Sequence, residues 1–171
     1  MGLLFGAVMV TGLAADVITK SIVVARLDPE LPIRLLGGLL TLRLLRNPGA
    51  AFSQGQQFTY VFAAAAILVL TFVIVRLVPR VRHVGWAIAL GLLCAGVAGN
   101  LVDRLFRRPA VLRGHVVDFL QLPYFAIFNV ADMCITASAV LIIYWSVIKG
   151  VGLNGERAPR PPAKSRAQGG S

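Results

Sequence analysis

The sequence predicts an all-α membrane protein: a four-helix transmembrane bundle with a small β or interfacial extracytoplasmic element between helices 1 and 2. Three observations lead there. Of 171 residues, 57% are apolar and only 14% charged, with a mean hydropathy of +0.79; a soluble domain carries roughly 45–50% and about 25%. Four stretches are apolar over about 20 residues, the length a helix needs to cross a hydrocarbon layer of about 30 Å. A further stretch is apolar but broken by glycine and proline, so it suits neither a span nor a solvated loop. These features exclude an ordinary soluble globular enzyme.

The first helix is expected over residues 3–27. It lacks a basic leading segment and runs through Asp16 and Lys20 into a second apolar stretch, so it reads as a retained span rather than a cleaved leader. Residues 28–57 carry Pro29, Pro32, Gly37, Gly38, Pro48, Gly49 and Gly55. The moderate alternation of residues 39–45 suits a short sheet or an element lying in the interface. The second helix is expected over 58–78, the third over 84–105 and the fourth over 125–148. Residues 1–149 then form one membrane-embedded domain. Residues 150–171, rich in Pro, Gly and Arg, read as a disordered basic cytoplasmic tail.

Lysines and arginines near the helix ends are balanced between the two sides. Orientation therefore rests on the short, densely basic 79–83 connection, which places both termini in the cytoplasm. The net charge of +10 would suggest nucleic acid in a soluble chain. Here the excess lies in loops and tail, so the expected partners are membrane lipids and no nucleic acid. Cys94 and Cys134 each stand inside an apolar run, where a thiol behaves as a small hydrophobe and builds no disulfide framework.

The seven acids carry more information than the bases. A charge at mid-membrane costs several kcal/mol (about 2.5 upward), so each needs a partner or a task. Asp16 and Lys20 are one helical turn apart, acid first, the favourable order for a local ion pair that fixes helix packing. Asn100, Asp103 and Arg104 share one face at the end of the third helix. The Arg104 guanidinium is expected to keep Asp103 ionised, as an orienting carboxylate or as part of a polar helix terminus. Asp118 and Asp132 differ, because neither has a Lys or Arg within a turn. Each could cap a helix or bond a backbone group. Brought together, two such carboxyls cannot both ionise and share a proton, the device of an aspartic hydrolase.

Other chemistries fit less well. His83 and His115 are a span apart, and no His-Glu-x-x-His, paired Cys/His or Gly-x-Ser-x-Gly pattern occurs. A zinc site is therefore not expected, while an all-oxygen Mg²⁺ site built from Asp16, Asp103, Asp118 and Asp132 stays open. A small proton-conducting protein would spread its acids through the bundle depth, whereas Asp103, Asp118 and Asp132 gather toward one side. A Mg²⁺-dependent lipid-headgroup enzyme and a purely structural bundle are further alternatives.

Five blocks then stand in order: Asp16-Val-Ile-Thr-Lys20, Asn47-Pro-Gly-Ala-Ala-Phe-Ser53, Gly99-Asn-Leu-Val-Asp-Arg104, Gly114-His-Val-Val-Asp-Phe119 and Phe128-Asn-Val-Ala-Asp132. Together they resemble the bacterial lipoprotein signal peptidase family, signal peptidase II, which are polytopic aspartic endopeptidases. The resemblance implies Asp118 and Asp132 as the catalytic pair. It implies support roles in positioning substrate and dyad for Asp16, Lys20, Asn47, Asn100, Asp103, Arg104 and Asn129. It implies diacylglyceryl-modified lipoprotein precursors as substrates, cut on the N-terminal side of the lipid-modified cysteine near the outer surface of the plasma membrane, with no metal or organic cofactor. The 28–57 segment would form the family's interfacial cradle. One departure is the 106–113 link, longer and more basic than the family pattern leads one to expect.

Overall fold

A computed structural model describes residues 1–49 and 59–157. Four helices are long and apolar enough to cross a membrane. The first, α1, is Gly2–Arg26. The second, α2, is Thr59–Phe72, and its span continues through a wider turn at Val73–Leu77 and a tighter one to Arg80, where Pro79 ends regular helix. The third, α3, is Val84–Phe106. The fourth, α4, is Val130–Ile143 and extends to Ile148. The chain is therefore a multi-pass membrane protein.

α3 is the central helix. Two thirds of its most apolar window is buried, 67% against 11–17% for the other three, whose side chains face outward. Its sequence explains this, because Gly91, Ala95, Gly96, Ala98 and Gly99 are all buried and let neighbouring backbones approach. α1, α2 and α4 pack around it.

The expected interfacial element is a three-stranded antiparallel sheet in the order β1 (Ile33–Leu35), β2 (Leu40–Asn47), β3 (Val116–Gln121). The β1–β2 connection passes through Gly37 and Gly38 at φ +67° and +95°, a region glycine enters without Cβ strain. The alternation read over residues 39–45 thus belongs to β2. β3 escaped the sequence reading because Val116, Val117, Asp118 and Phe119 are all buried, so no apolar/polar alternation marks it. β3 carries Asp118 and pairs it with Leu45.

Three expectations change. The fourth helix was expected from residue 125 but begins at Val130. Phe128 instead pairs with Leu120 of β3 (Phe128 N–H to Leu120 O, 2.9 Å), and Asn129 caps the helix. Residues 150–157, assigned to the tail on composition, fold back onto the bundle. There the Trp86 indole N–H, otherwise buried without an acceptor, donates to Val151 O at 2.9 Å, and Arg82 N–H donates to Leu153 O at 2.8 Å. The remainder of the expected tail, and residues 50–53 of the second motif block, lie outside the described residues. Finally, Asp103 does not take Arg104 as its partner, as described next.

Candidate active site

Asp16, Lys20, Asn47, Asn100, Asp103, Arg104, Asp118, Asn129 and Asp132 gather at the sheet end of the bundle in one connected polar network. Its base is Lys20, whose side chain is 1% exposed. The ammonium lies 2.8 Å from Asp16 Oδ2, 2.9 Å from Asp103 Oδ2 and 3.0 Å from Asn100 Oδ1. The expected local pair of Asp16 and Lys20 is therefore present, but it is one arm of a three-helix junction. Asp16 Oδ1 also accepts the Ala131 N–H at 2.8 Å, a carboxylate against the first turn of α4, where free amide donors and the helix dipole favour negative charge.

Asp103 has two cations, Lys20 and Arg107, the latter through its Nε. It also accepts the Val117 N–H of β3 at 3.1 Å. Arg107 was missed in the sequence, although its i,i+4 spacing from Asp103 is the ordinary signal for a helical ion pair. Arg104 turns the other way. It donates to the Asn100 carbonyl at 3.2 Å and its guanidinium lies 5.7 Å from the centre of the Phe62 ring. There it lines a cavity of about 490 Å³ with Asn47, Gly49, Phe62, Ala126 and Ile127.

Asp118 and Asp132 enter no ion pair among the described residues; amides hold them instead. Asn129 Nδ2 donates to Asp118 Oδ1 at 2.6 Å and Asn47 Nδ2 to Asp118 Oδ2 at 2.8 Å. Asn100 Nδ2 donates to Asp132 Oδ1 at 2.9 Å, and the Asn129 N–H reaches Asp132 Oδ2 at 3.2 Å. Asn129 Oδ1 accepts the Asp132 N–H at 2.9 Å, completing a capping box at the start of α4. Asn129 Nδ2 also reaches Asn100 Oδ1 at 3.2 Å, so the two asparagines connect the two carboxyls. Asn47 and Asn129 both direct their amide hydrogens at Asp118. Their immediate work in the structure is to orient a carboxylate.

Burial pushes the Asp118 carboxyl up to about 6. The Asn47 amide opposes that rise, and the Asp132 charge adds to it. An acid whose folded pKa exceeds its unfolded value of 3.8 holds a proton that the unfolded chain releases. Its stabilising contribution is complete below 3.8 and lost as pH rises through about 6. Melting temperatures measured from pH 4 to pH 8 in detergent are expected to fall more steeply for the native chain than for Asp118→Asn.

Close approach at this end depends on glycine. A Cβ on Gly99 would stand 2.5 Å from Asp16 Oδ2 and 3.2 Å from the Ala131 side chain. Asp16 cannot swing aside, because Lys20 and the Ala131 N–H hold its two oxygens. Gly99→Ala is expected to cost about 1–3 kcal/mol, the usual penalty for overpacking, and to lower the melting temperature.

The fold and this constellation define a multi-pass membrane protein with an amide-held carboxyl pair at one end of a four-helix bundle. The profile of the family described as Signal peptidase (SPase) II matches residues 8–148, and the chain belongs to that family. A lipoprotein signal peptidase of Leifsonia xyli is 48% identical over 143 residues, covering 83% of this chain and 65% of that protein. One of Rhodococcus jostii is 44% identical over 136 residues, covering 80% and 68%. The chain thus spans about two thirds of the length of these relatives. Two solved structures share the fold, each titled as a bacterial membrane enzyme obtained by the in meso method. One has a TM-score of 0.68 at 24% identity, covering 90% of this chain and 93% of the other. The second has 0.67 at 26%, covering 82% and 90%.

Proposed function

We propose that this chain is an intramembrane aspartic endopeptidase that removes the signal peptide from diacylglyceryl-modified prolipoproteins, with Asp118 and Asp132 as the catalytic pair. The observation that carries this reading is the pair itself. Two carboxyls that enter no ion pair among the described residues are joined through Asn129 and Asn100, while the neighbouring acids Asp16 and Asp103 are neutralised by Lys20 and Arg107. Such a pair retains one proton.

The reaction needs only that proton and a water. The ionised carboxylate takes a proton from water as its oxygen attacks the scissile carbonyl, and the protonated partner donates to the carbonyl oxygen. The tetrahedral intermediate collapses with cleavage of the C–N bond, and a proton passes to the departing amine. The products are the signal-peptide carboxylate and the free α-amino group of the lipid-modified cysteine. The pair ends with one proton, as it began. Asn47, Asn100 and Asn129 hold the carboxyls in register, and the cavity beside Arg104 and Phe62 receives the extended peptide. Acyl chains supply much of the binding at about 0.8 kcal/mol per buried CH₂, which leaves the mature sequence largely unread.

Purified full-length protein in detergent, given a diacylglyceryl-modified precursor peptide, is expected to cut on the N-terminal side of the modified cysteine, as read by mass spectrometry. EDTA should leave the rate unchanged, and the unacylated peptide should be cut far more slowly. Loss of cleavage with EDTA, or equal cleavage of both peptides, would overturn the reading. Both termini are assigned to the cytoplasm, with the site near the outer surface. A tag after Lys149 should then be protected from protease in right-side-out vesicles, and digestion there would reverse the assignment.

A further inference from the structure

We infer that the loop after α3 forms, with β2, a binding site for the phosphate of an anionic phospholipid headgroup in the leaflet on the sheet side. This proposal concerns binding alone and does not rest on the peptidase reading, although Arg46 also lines the cavity beside Arg104 and Phe62. A cavity of about 460 Å³ is lined by Arg46, Arg108, Pro109 and His115. No carboxylate lines it. The nearest acids along the chain are Asp118, three residues after His115 and held by the Asn47 and Asn129 amides, and Asp103, engaged by Lys20, Arg107 and the Val117 N–H. Among the described residues neither Arg46 nor Arg108 enters an ion pair, so an anion from outside the chain can meet them.

The loop is also built. Gly114 N–H donates to Arg104 O at 3.0 Å, His115 N–H to Arg108 O at 3.1 Å and Arg113 N–H to Ala110 O at 3.0 Å. These bonds hold Arg108 and His115 toward Arg46 at the end of β2. Gly114 is essential to the closure, since a Cβ there would strike the carbonyls of Asp103, Arg104 and Arg107. The loop leaves α3 at Phe106, where the span ends, which puts the cavity at headgroup depth.

Two apolar side chains of the same loop settle which phosphate fits. Phe106 is 81% exposed and Val111 70%. A soluble anion gains nothing from them, whereas a lipid offers acyl chains beside its headgroup. Guanidinium groups match the phosphodiester through paired N–H donors, and each cation near an anionic leaflet is worth roughly a fivefold change in affinity.

The test uses the full chain in detergent micelles, titrated with phosphatidylglycerol or phosphatidylcholine, with bound lipid counted by native mass spectrometry. The native protein should favour phosphatidylglycerol. Arg108→Gln should weaken that binding about fivefold, His115→Gln and Phe106→Ser should each weaken it, and Arg80→Gln at the opposite end of the bundle should not. Melting temperatures establish that each variant is folded. Unchanged phosphatidylglycerol binding in Arg108→Gln would overturn the site. So would an equal loss in Arg80→Gln, which indicates diffuse charge. Competition by glycerol phosphate at the same concentration would show a soluble-anion site and overturn the lipid assignment.

Discussion

Lys20→Met is expected to lower stability by about 3–5 kcal/mol, the range for a buried ion pair that loses one partner. The size follows from what the ammonium touches. It stands within 3.0 Å of oxygens on Asp16, Asp103 and Asn100, in a position from which water is excluded. Methionine fills a similar volume, so packing changes little and the loss is electrostatic. Asp103 keeps Arg107 and the Val117 N–H, and Asp16 keeps the Ala131 N–H, but the two acids would then face each other across an apolar gap. A second consequence reaches the site. Lys20 fixes which end of the Asn100 amide points toward it, and so fixes the Nδ2 that donates to Asp132. Thermal unfolding in detergent reads the first effect. An unchanged melting temperature would mean that the three-oxygen junction around Lys20 contributes nothing to the fold. Pairing Lys20→Met with Asp16→Asn should recover part of the loss, because one of the stranded charges is gone.

Much of this site was legible in the sequence, because membrane burial makes every charge conspicuous. Asp16 and Lys20 announced themselves by a one-turn spacing, and Asp118 and Asp132 by the absence of any Lys or Arg within a turn. The four spans followed from length and hydropathy alone. Three things were hidden. β3 is buried on both faces and pairs with β2 across some seventy residues of chain, so neither local alternation nor turn residues betrays it. The start of α4 was placed too early because Phe125 and Ile127 look helical by hydropathy. The boundary is set by Phe128 bonding to β3 and by the Asn129 capping box, a tertiary and a local effect together. The partner of Asp103 was misassigned to Arg104, since adjacency in sequence points side chains in different directions on a helix, while Arg107 one turn on shares the face. Asn100 was legible from the face it shares with Asp103 and Arg104, and Asn129 only through the family resemblance. That their side-chain amides donate to different carboxyls required the fold.

The largest expected effect is on chemistry. Asp118→Asn and Asp132→Asn keep size and most hydrogen-bonding capacity, yet an amide neither takes a proton from water nor donates one as an acid. General acid–base catalysis contributes about 10²–10⁴-fold, and each variant should lose at least that lower bound. If the two groups share one proton, as proposed, removing either disables the pair and the two losses do not add. Asn47→Ala and Asn129→Ala would also reduce activity, but Asn129 additionally caps α4 and its loss would be confounded with stability.

The decisive measurement is the single-turnover cleavage rate of a diacylglyceryl-modified precursor peptide by native protein, Asp118→Asn, Asp132→Asn and the double variant, each normalised to folded protein. The shared-proton account predicts at least about a hundredfold loss in each single variant, with the double variant no slower than the worse single one. Near-native cleavage by either single variant would contradict it.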